Sequence, residues 1–387
     1  MRVKHNDLPR GYKKAIGTEA FVALALIVFF FGALAAKLGF VTLVKTLFDL
    51  AFDLLMNTCF YIMGIAVLAG ALSALLAEFG VLSLINKLLS PLMRPLYGLP
   101  GAAAIGIMTT FLSDNPAILT LCDDKRFKCL FRRRELPALC NLGTAFGMGL
   151  IVISYIAGIE SPAVNSGRAV ACGFLGAVCG SIVSTRLMLR KCAIFFGESG
   201  EDILDERTDK ALNLLEYRQV REGSVMRRFL DALLEGGKSG VDVGMAIIPG
   251  VLVICSIVML LTNRPGDAHP GVALIPWIAE KLNFLLLPLF GFSSAECLSV
   301  PLTSLGSAGA AIGLIPQLVQ KGLAGTNDLA VFTAMCMCWS GYLSTHVAMM
   351  DALKSRELTA QAILSHTIGG LFGGISAHWF FLLTSLF

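Results

Sequence analysis

Seven stretches of about 20 residues are almost free of charge: residues 20–38, 57–77, 136–156, 166–189, 241–262, 329–350 and 359–383. A helix needs ~20 mostly apolar residues to cross the hydrocarbon core. Backbone placed there must satisfy its own hydrogen bonds, so such runs become helices. A chain with seven of them is an all-α polytopic membrane protein. Composition agrees: 56% of residues are hydrophobic and 15% charged, against roughly 45–50% and about 25% in soluble domains. Disorder, collagen, coiled coil and a disulfide-rich secreted scaffold are excluded. The 11 cysteines form no C-x-x-C pair and read as small membrane-helix residues.

Two more apolar stretches, residues 100–122 and 293–319, are broken in the middle. The first carries TTFLSDNPA at 109–117 and the second PLTSLGSAGA at 301–310. Charge placement decides what they do. Arg2, Lys4, Arg10, Lys13 and Lys14 mark the N-terminal tail, and residues 123–135 and 190–228 hold further basic sets. The loop 158–165 has no Lys or Arg, and 263–281 has only Arg264 and Lys281. Basic loops stay on the cytoplasmic side. The expectation is a multi-pass protein of the cytoplasmic membrane with its N-terminus inside. Were 100–122 to cross fully, the arginine-rich loop after it would lie outside. Both broken stretches therefore read as re-entrant helical hairpins, entering from opposite faces.

The halves echo each other. PLYGLPGAAAIGIMTTFLSDN (95–115) lies over PLFGFSSAECLSVPLTSLGSA (288–308) without a gap. Downstream, Gly149 falls near Gly341, and Gly176 and Gly180 resemble Gly370 and Gly374. The predicted organisation is a tail and first span (1–44), one repeat (45–190, hairpin 100–122), a cytoplasmic linker (191–228) and a second repeat (229–387, hairpin 293–319). Residues 48–56 read as an interfacial helix on the outer face. Three crossings per repeat invert the second against the first. Inverted repeats with interrupted helices near the midplane are a signature of secondary transporters.

The hairpin tips carry the polar chemistry. Asn115 is a good N-cap and Pro116 suits the first helical position, so a half-helix with free N–H groups begins there. Asp114 adds a carboxylate at membrane depth, a functional hypothesis by default. It is the candidate for the coupling cation, a sodium ion or a proton, and no other cofactor is expected. The reading as a mere cap stands beside this. Thr110 and Ser113 flank the same tip. Thr303, Ser304 and Ser307 give hydroxyls at the second tip, and Glu296 opens that hairpin. Asn141 on one long span, and Ser340, Thr345 and His346 on another, complete the candidate solute site. His346 could relay a proton or hydrogen-bond a base, and the reading as a satisfied interhelical histidine stands beside this. Arg168, Arg186, His366 and His378 read as interface anchors or interhelical bonds. Glycine and alanine at 173–181 and 369–377 suit close helix packing, within the fold or at a homo-oligomer seam.

EGGKSGVDVGMAIIPGVLVI, the PLYGLPG and PLFGF pair, SDNPAI and MCWSGYLSTHVAMMDAL resemble the bacterial nucleoside-recognition (Gate) membrane proteins, a group that includes the spore maturation proteins A and B. Each half resembles one such module, over residues 57–387. More distantly the chain is similar to concentrative nucleoside transporters. That resemblance implies two re-entrant hairpins, a cation-coupled elevator motion, and a site between residues 113–115 and 303–307. The chain departs from those transporters at the second tip, which bears no carboxylate.

Two functions follow. The first is a secondary transporter moving a small polar, perhaps nucleoside-like, solute across the bilayer by alternating access. The second is a non-transporting membrane assembly factor of the spore maturation kind. An enzyme is not expected, since neither HExxH, paired carboxylates nor a phosphate loop is present. The partners expected are the lipid bilayer and the solute, without nucleic acid.

Overall fold

The computed structural model describes residues 16–113, 117–118, 121, 125–197, 217–218 and 220–386. Among the described residues, six helices are long and apolar enough to cross a membrane. They are α1 (Thr18–Leu38), α2 (Phe40–Glu78), the pair α5 (Glu135–Thr144) and α6 (Gly149–Ala157), then α7 (Ser166–Phe196), α8 (Val225–Thr262) and α15 (Thr359–Thr384). A seventh path is interrupted, with α13 (Thr326–Cys338) running into α14 (Tyr342–Ala352). Between them lie α3 (Val81–Leu92) and α4 (Ala103–Leu112) in the first half. The second half adds α9 (Leu274–Lys281), α10 (Asn283–Phe290), α11 (Ser299–Ser304) and α12 (Ala308–Gln320). Residues 48–56 are not a separate interfacial helix. They continue into the span through a π-helical turn at Leu54–Cys59, because nothing in that apolar sequence breaks the backbone ladder.

Both hairpins turn back on themselves. At hairpin 1, the Arg186 guanidinium near the C-terminal end of α7 donates to the carbonyls of Pro95 and Leu96. Arg133, beyond the hairpin, lies over the Phe196 ring at that same end. Ile118 of the returning arm packs against Gly106 of the outgoing one. At hairpin 2 the two ends are bonded directly: Asn327 Nδ2 donates to the carbonyls of Phe290 and Gly291 at 2.9 and 2.8 Å. His378, near the C-terminal end of α15, holds Asn327 Oδ1 at 2.8 Å. Helices α7 and α15 are antiparallel, since Arg168 at the start of α7 donates to the Phe381 carbonyl at the end of α15, 2.9 Å away. The hairpins therefore enter from opposite faces, and the repeats are inverted.

The repeat holds at backbone level with one spacing of 193 residues. Gly98 and Gly291 both take positive φ, 74° and 62°, where the surface helix ends. Met148 (φ 55°) and Gly341 (φ 65°) both break the long span. Each span opens on a buried acid that accepts the backbone N–H three residues earlier. Arg132 N donates to Glu135 Oε2 at 2.8 Å, and Gly325 N to Asp328 Oδ2 at 2.8 Å. The glycine seam obeys the same symmetry. A Cβ on Gly180 would lie 2.5 Å from the Gly369 carbonyl, and one on Gly176 2.6 Å from that of Gly373. The partners are thus Gly369 and Gly373, one residue earlier than the sequence comparison places them.

A second small-residue seam joins α2 to α8, where Gly70 meets Gly236 and Ala66 meets Gly240. Close backbone approach without bulky side chains is how membrane helices gain packing energy. The two seams define two units. One contains α2 and α8. The other contains α7, α13 and α15 with the broken spans, and both hairpins lie against it.

Candidate solute site and its surroundings

Hairpin 1 ends at a cavity of about 410 Å³ between α4, α2 and α8, lined in part by Ser73, Thr109, Ser113, Ser239, Arg221 and Glu235. Ser73 Oγ donates to the Leu112 carbonyl at 2.9 Å, and the Thr109 hydroxyl to the Ile105 carbonyl at 2.7 Å. The C-terminal carbonyls of α4 point at this space. A helix C-terminus carries partial negative charge and favours a cation or hydrogen-bond donors. Thr110 is fully buried beside the cavity and donates to the Gly106 carbonyl at 2.8 Å. Asp114 and Asn115 lie outside the described residues.

The mouth of the cavity is ionic. Arg221 Nη2 meets Glu235 Oε2 at 2.6 Å, and its Nη1 meets Glu78 Oε2 at 2.8 Å. Arg228 Nε donates to the other Glu78 oxygen at 2.6 Å. Glu78 is buried, so two guanidiniums compensate one buried carboxylate. Sequence reading passes over Arg221 and Glu235, because basic residues in a linker look like topology markers. Glu235 stands just before the small-residue run, and that position was the available signal. Lys238 and Asp242, three and seven residues on, are exposed.

Hairpin 2 spends its hydroxyls on its own backbone. Thr303 donates to the Ser299 carbonyl and Ser304 to that of Pro301, both at 2.7 Å. Ser307 caps α12 by accepting the Ala310 N–H at 3.2 Å. Glu296 lies at the base of the hairpin, in a separate cavity of about 400 Å³ with Arg264, Asp267, Gln317 and Lys321. Arg264 Nη2 holds Glu296 Oε1 at 2.8 Å, and Lys321 Nζ holds Asp267 Oδ2 at 2.8 Å. One loop thus grips both arms of the hairpin. Partial burial would raise the Asp267 carboxyl, but the Lys321 ammonium and the Arg264 backbone N–H outweigh it and hold the group below its ordinary range.

The break between α13 and α14 gathers the remaining candidates. Ser340, Thr345 and His346 are buried there. Asn141 on α5 donates to Ser184 Oγ on α7 at 3.0 Å and to the Ala362 carbonyl on α15 at 3.0 Å. Ser184 Oγ lies 3.1 Å from His366 Nδ1. The His346 and His366 rings are 4.6 Å apart between centroids, and Tyr342 stacks on His366. Asn141 and His346 therefore belong to one polar cluster, joined by Ser184 and His366. His366 makes the interhelical bond expected of it, to Ser184 of α7.

Residues 59–189 match the family described as Gate, nucleoside recognition. An uncharacterized protein of Alkalihalophilus pseudofirmus is 22% identical over 288 residues, which cover 71% of this chain. The match spans 58% of that relative's length. Among solved structures, the concentrative nucleoside transporter CNTnw in an inward-facing, substrate-bound state superposes with a TM-score of 0.54 at 14% identity, covering 97% of this chain and 94% of that one. A CNTnw variant in an outward-facing state gives 0.52 at 14% identity, again over 97% and 94%. The fold is similar to that of CNTnw, a concentrative nucleoside transporter.

Proposed function

We propose that the chain is a secondary transporter that carries a small polar, nucleoside-like solute across the membrane by alternating access, coupled to a cation or a proton. The observation that carries this reading is the cavity at the tip of hairpin 1. It lies between one packed unit and the other, so sliding one against the other would change the side to which it opens. Its volume falls in the range of small-molecule sites, and its apolar walls with a few convergent hydroxyls suit a ligand with a flat ring and a polar sugar. Ser113, Thr109 and Ser239 would orient the sugar hydroxyls. Asp114, next to Ser113, is the carboxylate assigned to the solute or the coupling cation. The Gate match over the first repeat supports a nucleoside-like cargo.

The test is uptake of radiolabelled uridine and adenosine into proteoliposomes, with sodium and pH gradients imposed separately. Saturable uptake, reduced at least tenfold in Asp114→Asn while thermal stability is kept, is the expected result. A folded, reconstituted protein that takes up neither nucleoside under either gradient contradicts the cargo, and normal flux in Asp114→Asn removes that residue's role.

A further inference from the structure

We propose that His346 and His366 form a single-proton binding site inside the unit that contains α7, α13 and α15, and that this pair is where the proton enters the transport cycle. The inference rests on the transport reading above and deepens it. His346 Nδ1 bonds to the Tyr342 carbonyl, which can only accept, so the ring carries its hydrogen on Nδ1. Its Nε2 is then a bare acceptor. The residue is fully buried, and no donor among the described residues reaches that nitrogen.

The second ring has the opposite tautomer. Asn141 donates to Ser184 Oγ at 3.0 Å, so the Ser184 hydrogen is free to go to His366 Nδ1, 3.1 Å away. His366 thereby accepts on Nδ1 and keeps its hydrogen on Nε2, and its ring also meets the Cys338 backbone carbonyl. Asn141 Oδ1 is buried without a partner. Buried polar atoms are nearly always satisfied, and two orphans in one cluster, His346 Nε2 and Asn141 Oδ1, mark a place built for something that comes and goes.

A proton fits that place better than a larger ligand. The rings are 4.6 Å apart between centroids, so two imidazoliums would repel across a low-dielectric gap, and the pair takes one proton at a time. The surroundings supply no fixed charge. Helix α5 presents Asn141, α7 presents Ser184, and α14 presents Tyr342, whose hydroxyl pairs with Thr367. On α13, the Cys338 thiol turns to the Ala177 carbonyl. The only titratable groups facing the pair among the described residues are thus Tyr342 and the Cys338 thiol, neither charged near neutrality. The site lies at a break where the backbone is already interrupted, at Gly341. A small shift of α14 against α15 would hydrate Nε2 and let it bind a proton. This assignment leaves Asp114 to the solute.

The direct test is nitrogen NMR of histidine-labelled protein in nanodiscs. His346 should show a protonated Nδ1 and a bare Nε2, and His366 the reverse. Between pH 8 and 4 the pair should take up one proton per chain, and His346→Asn, which can still donate to the Tyr342 carbonyl, should take up none. A His346 Nε2 that is already protonated at pH 8, or ring signals unchanged down to pH 4, overturns the site. In proteoliposomes with uridine as probe, a pH gradient should raise accumulation at least tenfold, and His346→Asn should fall to the level seen without a gradient. Gradient-driven accumulation equal to that of the parent overturns the coupling role. A pair that titrates as described in a protein that moves neither uridine nor adenosine upholds the proton site and contradicts the nucleoside cargo instead.

Discussion

The two broken spans share a backbone and differ in chemistry. Met148 and Gly341 hold the same left-handed conformation at the same register. Around Gly341 stand Trp339, Ser340, Tyr342, His346 and His366. At the matching positions, 193 residues earlier, stand Phe146, Gly147, Gly149, Ile153 and Gly173. The first break is packed with apolar and small residues, and the Phe111 ring closes on Gly149. The second is a hydrogen-bonded cluster with unpartnered atoms. Inversion of a repeat thus conserves the turn that interrupts a helix. It leaves each copy free to put its polar groups where only one is needed.

The largest expected difference between the copies lies in their buried acids. Asp328 accepts from Ser293 N at 2.9 Å, from Ser293 Oγ and from Gly325 N, and so ties hairpin 2 to its span. Hydrogen bonds to charged groups are worth about 1.5–3 kcal/mol each, and buried donors left behind cost more. Asp328→Ala should therefore lower stability by roughly 3 kcal/mol, measured as thermal unfolding in nanodiscs. Glu135→Ala, in the matching cap, should cost less, and equal losses would erase the asymmetry.

Next comes the turn itself. At Gly341 a side chain must adopt φ near 65°, which costs an L-residue about 1–2 kcal/mol. Gly341→Ala should lose that much in the same assay. No loss would mean that the second break tolerates a side chain as readily as Met148 shows the first does. A smaller effect is expected at Ser184, whose counterpart is Ala377. Ser184→Ala removes one partner from Asn141 and one from His366, and interhelical hydrogen bonds in membranes are worth about 0.5–1.5 kcal/mol. A change within error would show the cluster to be loosely held.

The smallest effect concerns pH at the base of hairpin 2. Asp267 is held below its usual range while paired with Lys321. A carboxyl depressed in the folded state adds stability above its unfolded value near 3.8, and that stability is lost as pH falls through the lower, folded value. Asp267→Asn should flatten the stability profile below about pH 4 and leave its shape unchanged near neutrality. Identical acid profiles would remove the pair from the account.

The sequence made the architecture legible because membrane physics is strict. Uncharged runs and basic loops can be read one residue at a time, and the motifs at 109–117 and 301–310 could not continue a helix across the bilayer. The break at Met148 was harder to see. A methionine gives no sign of positive φ, although Gly147 and Gly149 on either side hinted at one. The one-residue slip in the glycine seam arose because glycines recur at several spacings in both helices. Polar partners were the least legible. Asn141, Ser184 and His366 lie on three helices, and their meeting depends on how α7 crosses α15. Hydroxyls at the tips read as free when listed in sequence. In the fold Thr110, Thr303 and Ser304 are bonded to their own helices.

The account depends on both hairpins returning to the face they entered from, with opposite faces for the two. Impermeant maleimide labelling of single cysteines in a cysteine-free background measures this most directly. Leu96→Cys and Arg133→Cys flank hairpin 1, and Gly266→Cys and Gln320→Cys mark the base of hairpin 2. In sealed vesicles of known orientation, the first two should react from one side and the last two from the other. Labelling of Leu96→Cys and Arg133→Cys from different sides would contradict the fold's central feature and the alternating access built on it.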